Sequence, residues 1–201
     1  MDTMAERSDE DGALMLRFRD GDQRAFATLY ERHKAALFRY LQRMCRSPET
    51  ADDLFQETWS RVILSAERYE VRAQFKTYLF RIAHNCAIDH FRRSGRQPVE
   101  RAQDVTQLQE VLPGVAYEQP EARTSELQLQ ADFRRALQDL PPEQRETFVL
   151  YEESGLGLEE IGNITGVAME TAKSRLRYAV SKLRAALHQH QPLRAVSGVQ
   201  S

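Results

Sequence analysis

SPETADDLFQETWSRVILSAERYEVRAQFKTYLFRIAHNCAIDHFRR, residues 47–93, decides how the chain is built. Its periodicity predicts two helices of opposite chemical character. Ser47-Pro48 marks a start, because a serine side chain caps orphan N–H groups and proline fits the first helical position. Ala51, Leu54, Phe55, Thr58 and Val62 recur at helical spacing and form the expected inward face. Asp52, Asp53, Gln56, Glu57 and Ser60 fall on the other side, with Asp53 and Glu57 one turn apart. From about Glu67 to Gln74 the period fails, which predicts a loop. In the next helix Leu79, Ile82, Ala83 and Cys86 make the packing face. Arg81, Asn85, Asp89 and Arg92 make a polar stripe flanked by Lys76, His84 and Arg93, and Tyr78 and Phe80 are expected to project near its start.

The chemistry of the two helices admits two readings each. The acidic face is either solvated surface whose carboxylates favour a helix N-terminus, or a docking surface for a basic protein partner. The aromatic and cationic residues of the second helix are either core and solvated charge, or a platform for exposed bases and phosphates, since rings stack on bases and cations neutralise the backbone.

Outward toward the N-terminus, residues 1–10 are polar with little to bury and are expected to be a disordered tail. A short helix from about Asp11 carries Leu14, Met15 and Phe18 and stops at Gly21. Asp22 is the expected N-cap of a longer one carrying Phe26, Leu29, Tyr30, His33, Leu37, Tyr40, Leu41 and Met44. On that stripe His33 reads as a hydrogen-bonded core residue.

Outward toward the C-terminus, the segment from Ser94 to Arg123 has Gly95, Pro98, Pro113, Gly114 and Pro120 and no sustained period. It reads as a flexible linker that spans on the order of 100 Å when extended, so the domains it joins need not touch. A second helical group follows from about Thr124, with a break at Leu140-Pro141-Pro142. Residues 157–187 read as helix, tight turn, helix: Gly157 opens the first, Gly166 makes the turn, and the last runs from about Ala168 to Leu187. Its expected inward face is Ala172, Leu176, Ala179/Val180, Leu183 and Leu187. Thr171, Lys173, Ser174, Arg175, Arg177 and Tyr178 are left facing out. Gly162, inside the first helix, costs about 1 kcal/mol relative to alanine, and a close helix crossing would account for it.

Whole-chain composition constrains less. The 201 residues carry a formal charge of only −2, yet no Asp or Glu follows Glu170 while Lys173, Arg175, Arg177, Lys182, Arg184 and Arg194 do. Positive charge is therefore local, and an exposed basic helix behind a tight turn is the arrangement by which a recognition helix enters the major groove. Cys45 and Cys86 have no paired spacing, which argues against a disulfide framework or zinc ribbon. No apolar run is long enough to insert in a membrane, and the acidic start is unlike a secretory signal, so a cytoplasmic location is expected.

Taken together these stretches resemble the bacterial sigma factors, in particular the compact extracytoplasmic-function (ECF) group. Ala51-Asp52-Asp53-Leu54-Phe55-Gln56-Glu57-Thr58-Trp59 is similar to their polymerase-binding helix, and Phe75 to Arg93, centred on Tyr78-Leu79-Phe80-Arg81-Ile82-Ala83-His84-Asn85, to their promoter-melting helix. Leu158 to Tyr178, with Thr171-Ala172-Lys173-Ser174-Arg175-Leu176, resembles their upstream-promoter reader. The chain departs from the common pattern at His84, where arginine is frequent, and at Met169-Glu170, where small residues are usual.

The resemblance implies an all-α chain of two small helical domains joined by a flexible linker, the second with a helix-turn-helix. Residues 11–94 would be sigma domain 2, 95–123 the linker, 124–190 sigma domain 4 and 191–201 a tail. It implies a non-enzymatic subunit without cofactor or metal, whose partners are the RNA polymerase core, through the clamp helices of its largest subunit, and promoter DNA, both duplex and melted non-template strand. An anti-sigma factor often holds members of this group. Asp52, Asp53, Gln56 and Glu57 would bind the core. Phe75, Lys76, Tyr78, Phe80, Arg81, His84, Asn85, Arg92 and Arg93 would bind the −10 element. Thr171, Lys173, Ser174, Arg175, Arg177 and Tyr178 would bind the −35 element. The alternatives are a stand-alone helix-turn-helix regulator and, through His84, Cys86, Asp89 and His90, a metal-binding enzyme.

Overall fold

The computed structural model describes residues 3–45, 47–93 and 122–189, with side chains over 10–45, 47–93 and 129–187. Eight α-helices lie among them: α1 (Thr3–Arg19), α2 (Gln23–Met44), α3 (Pro48–Leu64), α4 (Phe75–Arg93), α5 (Ala122–Gln138), α6 (Pro142–Ser154), α7 (Leu158–Thr165) and α8 (Met169–Gln189). A 3₁₀ turn, Ala66–Arg68, opens the loop before α4, and no strand occurs among the described residues.

The expected starts are built as the residues dictate. Asp22 Oδ1 accepts from the N–H groups of Arg24 and Ala25, and Ser47 Oγ from that of Thr50, so each cap satisfies donors the first turn cannot. Gly21 ends α1 at φ 104°, a left-handed conformation that glycine adopts without Cβ strain. Helix α1 differs from the expectation of a disordered tail over residues 1–10, because it begins at Thr3. Ala5, Glu6 and Arg7 are good helix formers, and the turn they extend is anchored: Asp11 holds Arg32 Nη1 at 2.6 Å and His33 Nε2 at 2.7 Å. Burial raises the Asp11 carboxyl, but its bonds to His33 and Arg32 outweigh that and hold it below the usual carboxylate range. His33 is the hydrogen-bonded core residue its stripe suggested.

Helix α2 is the wall against which the first group assembles. Leu29, Leu37, Tyr40 and Leu41 are fully buried, together with Leu54 and Val62 of α3 and Phe75, Leu79, Phe80 and Ala83 of α4. An aromatic cluster closes its outer end, with Phe26 edge-on to Trp59 at 5.7 Å and Tyr30 at 5.1 Å from the same ring. Rings in this geometry contribute about 0.5–1.5 kcal/mol per pair beyond area burial.

The same helix also packs along α6, so the two halves of the chain meet, although a linker of that length would let them stay apart. Helix α6 supplies the reason. Arg145, Glu146, Thr147, Phe148, Val149 and Leu150 are consecutive and all buried, which requires neighbours on every side of the helix. The linker, residues 95–123 by expectation, lies almost wholly outside the described residues; Ala122 and Arg123 already belong to α5. The expected tail, 191–201, lies outside them too.

Helices α7 and α8 form the anticipated helix-turn-helix. Gly166 turns the chain at φ 73°, and the Val167 N–H donates to Gly162 O at 2.9 Å. A Cβ on Gly162 would stand 2.7 Å from Val167 O, so the glycine exists for the close approach of the turn. We expect Gly162→Ala to lower unfolding free energy by about 1–3 kcal/mol in urea denaturation, the overlap outweighing the roughly 1 kcal/mol gain in helix propensity. A more stable variant would show that the turn yields freely.

Candidate nucleic-acid and protein interfaces

Helix α3 presents its acidic face because the opposite face is committed to the core. Ala51, Leu54, Thr58, Trp59 and Val62 are buried, and helical geometry then turns Asp52, Asp53 and Gln56 outward, where all three are exposed. Glu57 is only half-exposed and is already engaged: its Oε1 lies 2.5 Å from Arg61 Nη2, and Arg61 Nη1 reaches Asp89 of α4 at 3.5 Å. Exposed ion pairs of this kind contribute about 0–1 kcal/mol, so Glu57 can exchange Arg61 for a stronger partner.

Helix α4 carries two polar stripes that face different ways. Arg81, Asn85, Arg92 and Arg93 are exposed and form one continuous surface. Thr77, Phe80 and His84 lie on a neighbouring stripe and point into the second half of the chain. The expectation that Phe80 projects is therefore corrected. Its ring is fully buried, edge-on to Tyr40 at 5.4 Å, because position 80 shares a helix face with Thr77 and His84 rather than with Arg81. Phe75 is buried as well, between His33 at 5.3 Å and Tyr78 at 6.1 Å. Tyr78 is half-buried, and its hydroxyl shares a hydrogen bond with Ser65 Oγ at 2.6 Å, which ties the helix start to the end of α3. Lys76 is half-buried beside Gly155.

Helix α8 buries Ala172, Ala179 and Leu183 and exposes Thr171, Lys173 and Arg177. Ser174, Arg175 and Tyr178 are half-buried at the edges of that surface. The Arg177 guanidinium stacks over the Tyr178 ring at 5.3 Å, and Lys173 approaches Glu170 at 3.9 Å. The six residues lie in the first turns of the helix, around the sides that Ala172 and Ala179 leave uncovered, and a recognition helix puts its N-terminal turns on base edges.

A third surface, between the two halves, was not legible in the sequence. Glu146 Oε1 accepts from Tyr40 Oη at 2.8 Å and meets His84 Nδ1 at 2.6 Å. Burial pushes the Tyr40 phenol well up, with the Glu146 charge adding to it. Burial lowers His84, but its bond to Glu146 and that carboxylate's charge prevail and raise it, against a smaller opposing effect of Arg81. Two turns along α6, Glu153 is 7% exposed and lies 2.5 Å from Arg39 Nε and 2.6 Å from Arg43 Nη1. Glu160 of α7 accepts from Thr77 Oγ1 at 2.6 Å while its other oxygen takes the Gly157 N–H at 3.0 Å. The signal was faint: glutamates seven residues apart, interleaved with apolar residues in a helix without a clean polar side.

Among the described residues no cluster of His, Cys, Asp and Glu has the arrangement of a metal site, and no helix is long and apolar enough to cross a membrane. Cys45 and Cys86 are free and buried, and burial pushes the Cys45 thiol up to about 11.

Comparison with known proteins agrees with this geometry. The model of sigma-70 region 2 matches residues 29–97, which hold most of α2 and all of α3 and α4, and that of sigma-70 region 4 matches residues 136–185, which hold α6, α7 and most of α8. The chain is 36% identical to the RNA polymerase sigma factor CarQ of Myxococcus xanthus over 170 residues, covering 85% of this chain and 93% of that protein. It is 34% identical to the ECF RNA polymerase sigma factor SigE of Mycolicibacterium smegmatis, covering 92% of this chain and 71% of that one. A solved complex of the sigma factor RpoE with the anti-sigma factor NepR from Bartonella quintana is similar at a TM-score of 0.61 and 25% identity, over 83% of this chain and 98% of that one. The chain belongs to the sigma-70 family and is an ECF-type RNA polymerase sigma factor, a non-catalytic subunit that directs core polymerase to promoters and helps open the −10 region, rather than a stand-alone helix-turn-helix regulator.

Proposed function

We propose that this sigma factor divides its work among three surfaces, beginning with the α3 face of Asp52, Asp53, Gln56 and Glu57, which docks on basic clamp helices of the largest polymerase subunit. The observation that carries this reading is the exposure of Asp52, Asp53 and Gln56 on a helix whose other face is fully buried. A rigid row of uncovered acids suits a cationic helical partner, where the charges pair instead of being solvated. Residues 11–94 and 124–190 act as the two promoter-binding domains, joined by 95–123, and the protein works in the cytoplasm, where an anti-sigma factor is a fitting regulator.

At the −10 element Arg81, Arg92 and Arg93 supply sequence-independent phosphate affinity, while Asn85 and the half-buried Tyr78, Lys76 and His84 border the strand. Phe75 and Phe80 act from the core, by setting the pose of α4. Opening duplex DNA costs about 1.4 kcal/mol of stacking per step, and one base held against an aromatic ring returns about 1–3 kcal/mol. Trapping one or two flipped bases is thus enough to bias melting. At the −35 element Thr171, Lys173, Ser174, Arg175, Arg177 and Tyr178 meet the major groove and its backbone, and Glu170 beside them repels phosphate, which lowers affinity for any sequence alike.

Run-off transcription of a genomic library by core polymerase, with and without the chain, tests the reading: new transcripts are expected only with it. Asp53→Ala with Glu57→Ala should weaken co-purification with core at least tenfold while leaving the thermal unfolding midpoint within a few degrees. Full retention of core binding would return α3 to the role of solvated surface. Arg175→Ala should cost about 1–3 kcal/mol of affinity for −35 duplex in a band-shift titration, if its guanidinium takes a bidentate base contact, with core binding intact. An unchanged promoter profile would remove Arg175 from the reader.

A further inference from the structure

Glu170 is a carboxylate where the chain otherwise gathers cations. Helix α8 buries Ala172, Ala179 and Leu183, so the residues that stand farthest from the core are those of the opposite ridge, Glu170, Lys173, Ser174 and Arg177, which recur at three-and-four spacing. Glu170, Lys173 and Arg177 are exposed, and Glu170 heads the ridge, in the first turn of the helix. A recognition helix sets that end among the base edges. An acid in a first turn also favours the helix dipole, but it does so on any side of the helix, and the dipole does not place it on this ridge.

Lys173 Nζ lies 3.9 Å from Glu170 Oε2, with the two side chains 65% and 72% exposed. A pair so exposed is weakly held, so both heads are available to a duplex. A carboxylate only accepts hydrogen bonds and repels phosphate, so its cost on DNA is recovered only where a base edge offers a donor. In the major groove those donors are the amino groups of cytosine N4 and adenine N6. Adenine sets its N7 acceptor beside the amino group, against the second oxygen of a carboxylate, whereas cytosine has a C–H there. Guanine O6, to which cytosine N4 donates across the pair, lies about 2.9 Å from it and accepts from an ammonium. The Glu170–Lys173 couple thus matches, in charge and in spacing, the donor and the acceptor that one C·G pair turns to the groove.

We infer that Glu170 is a specificity-determining residue of this sigma factor, accepting from cytosine N4 in the −35 element while Lys173 donates to guanine O6 of the same pair. The inference rests on the reading of α8 as the −35 helix and gives that reading a base. Glu170 lowers affinity for every duplex and returns the loss at one base pair, which separates correct from incorrect promoters without strengthening the tightest complex.

The experiment uses core polymerase carrying the full chain. One promoter recovered by run-off transcription has its upstream element randomised, and the duplexes retained by the complex are sequenced. The parent should prefer cytosine over adenine at one position by about tenfold. Glu170→Ala should accept cytosine and adenine alike there, Lys173 still demanding a keto oxygen opposite, with the other positions unmoved. Glu170→Gln should move the preference to adenine, because an amide donates to N7 while it accepts from N6. On the selected duplex, N4-methylcytosine at that position replaces the groove-facing hydrogen with a methyl group. It should weaken the parent about tenfold and Glu170→Ala not at all. Glu170→Ala that strengthens binding to every member of the pool equally, with its preferences intact, reports phosphate repulsion alone and overturns the inference. A shifted unfolding midpoint with unaltered preferences, the mark of a residue that serves only the helix start, overturns it too, as does a parent indifferent to N4-methylcytosine. A parent without preference anywhere in the randomised element overturns the reading of α8 itself, so the two failures are distinguishable.

Discussion

Helix α2 has more apolar surface than its own domain can cover. Leu29, Leu37 and Leu41 anchor the first group, and Tyr40, fully buried, extends toward Glu146 of the second. A phenol removed from water must keep a hydrogen bond, and the acceptor it finds belongs to α6. That one requirement couples the halves: α6 can sit against α2 only if its charged residues find partners there, and Glu146, with Tyr40, and Glu153, with Arg39 and Arg43, are placed accordingly. Arg145 Nη1 donates to Gln138 Oε1 at 2.8 Å, while Gln138 Nε2 donates to the Arg43 carbonyl at 3.1 Å, so α5 is tied into the same network.

Burial of charge gives this contact its specificity. Removing one partner from a buried ion pair costs about 3–5 kcal/mol, whereas a pair that separates into water returns both groups to solvent. Glu153 is enclosed, but Arg39 is half-exposed and Arg43 partly so, which puts this pair at the solvent edge of the contact, where it parts at little cost. An interface of apolar side chains alone would lack that property, since opening it would expose a contiguous hydrophobic patch.

The working surfaces are set by the residues each helix has already committed to the core. Helix α3 turns Ala51, Leu54, Thr58 and Trp59 inward and so presents its acids. Helix α8 buries Ala172, Ala179 and Leu183 and presents its cations. Helix α4 is packed on more sides, against α1, α2, α3, α6 and α7, so its residues separate into an exposed stripe around Arg81 and Asn85 and a covered one around Thr77, Phe80 and His84. The positions differ by one or two residues along the chain but by a large angle around the helix, which is why aromatic and basic residues adjacent in sequence end in such different surroundings.

Local physics made much of this legible beforehand. A serine or aspartate before a periodic run can cap only the helix that begins there, and glycine at a left-handed turn has few substitutes, so Ser47, Asp22, Gly21 and Gly166 announced the helix boundaries they make. Three-and-four spacing likewise identified the inward faces of α2, α3 and α8, and even Gly162 pointed to the crossing it permits. The burial of Phe75 and Phe80, and above all the meeting of the halves through Glu146, Glu153 and Glu160, were decided by tertiary structure. Periodicity says which residues of a helix share a face, but not how many neighbours that helix will have; the second quantity depends on contacts between residues far apart along the chain, and it alone determines whether a ring or a carboxylate meets water, a base or another part of the same molecule.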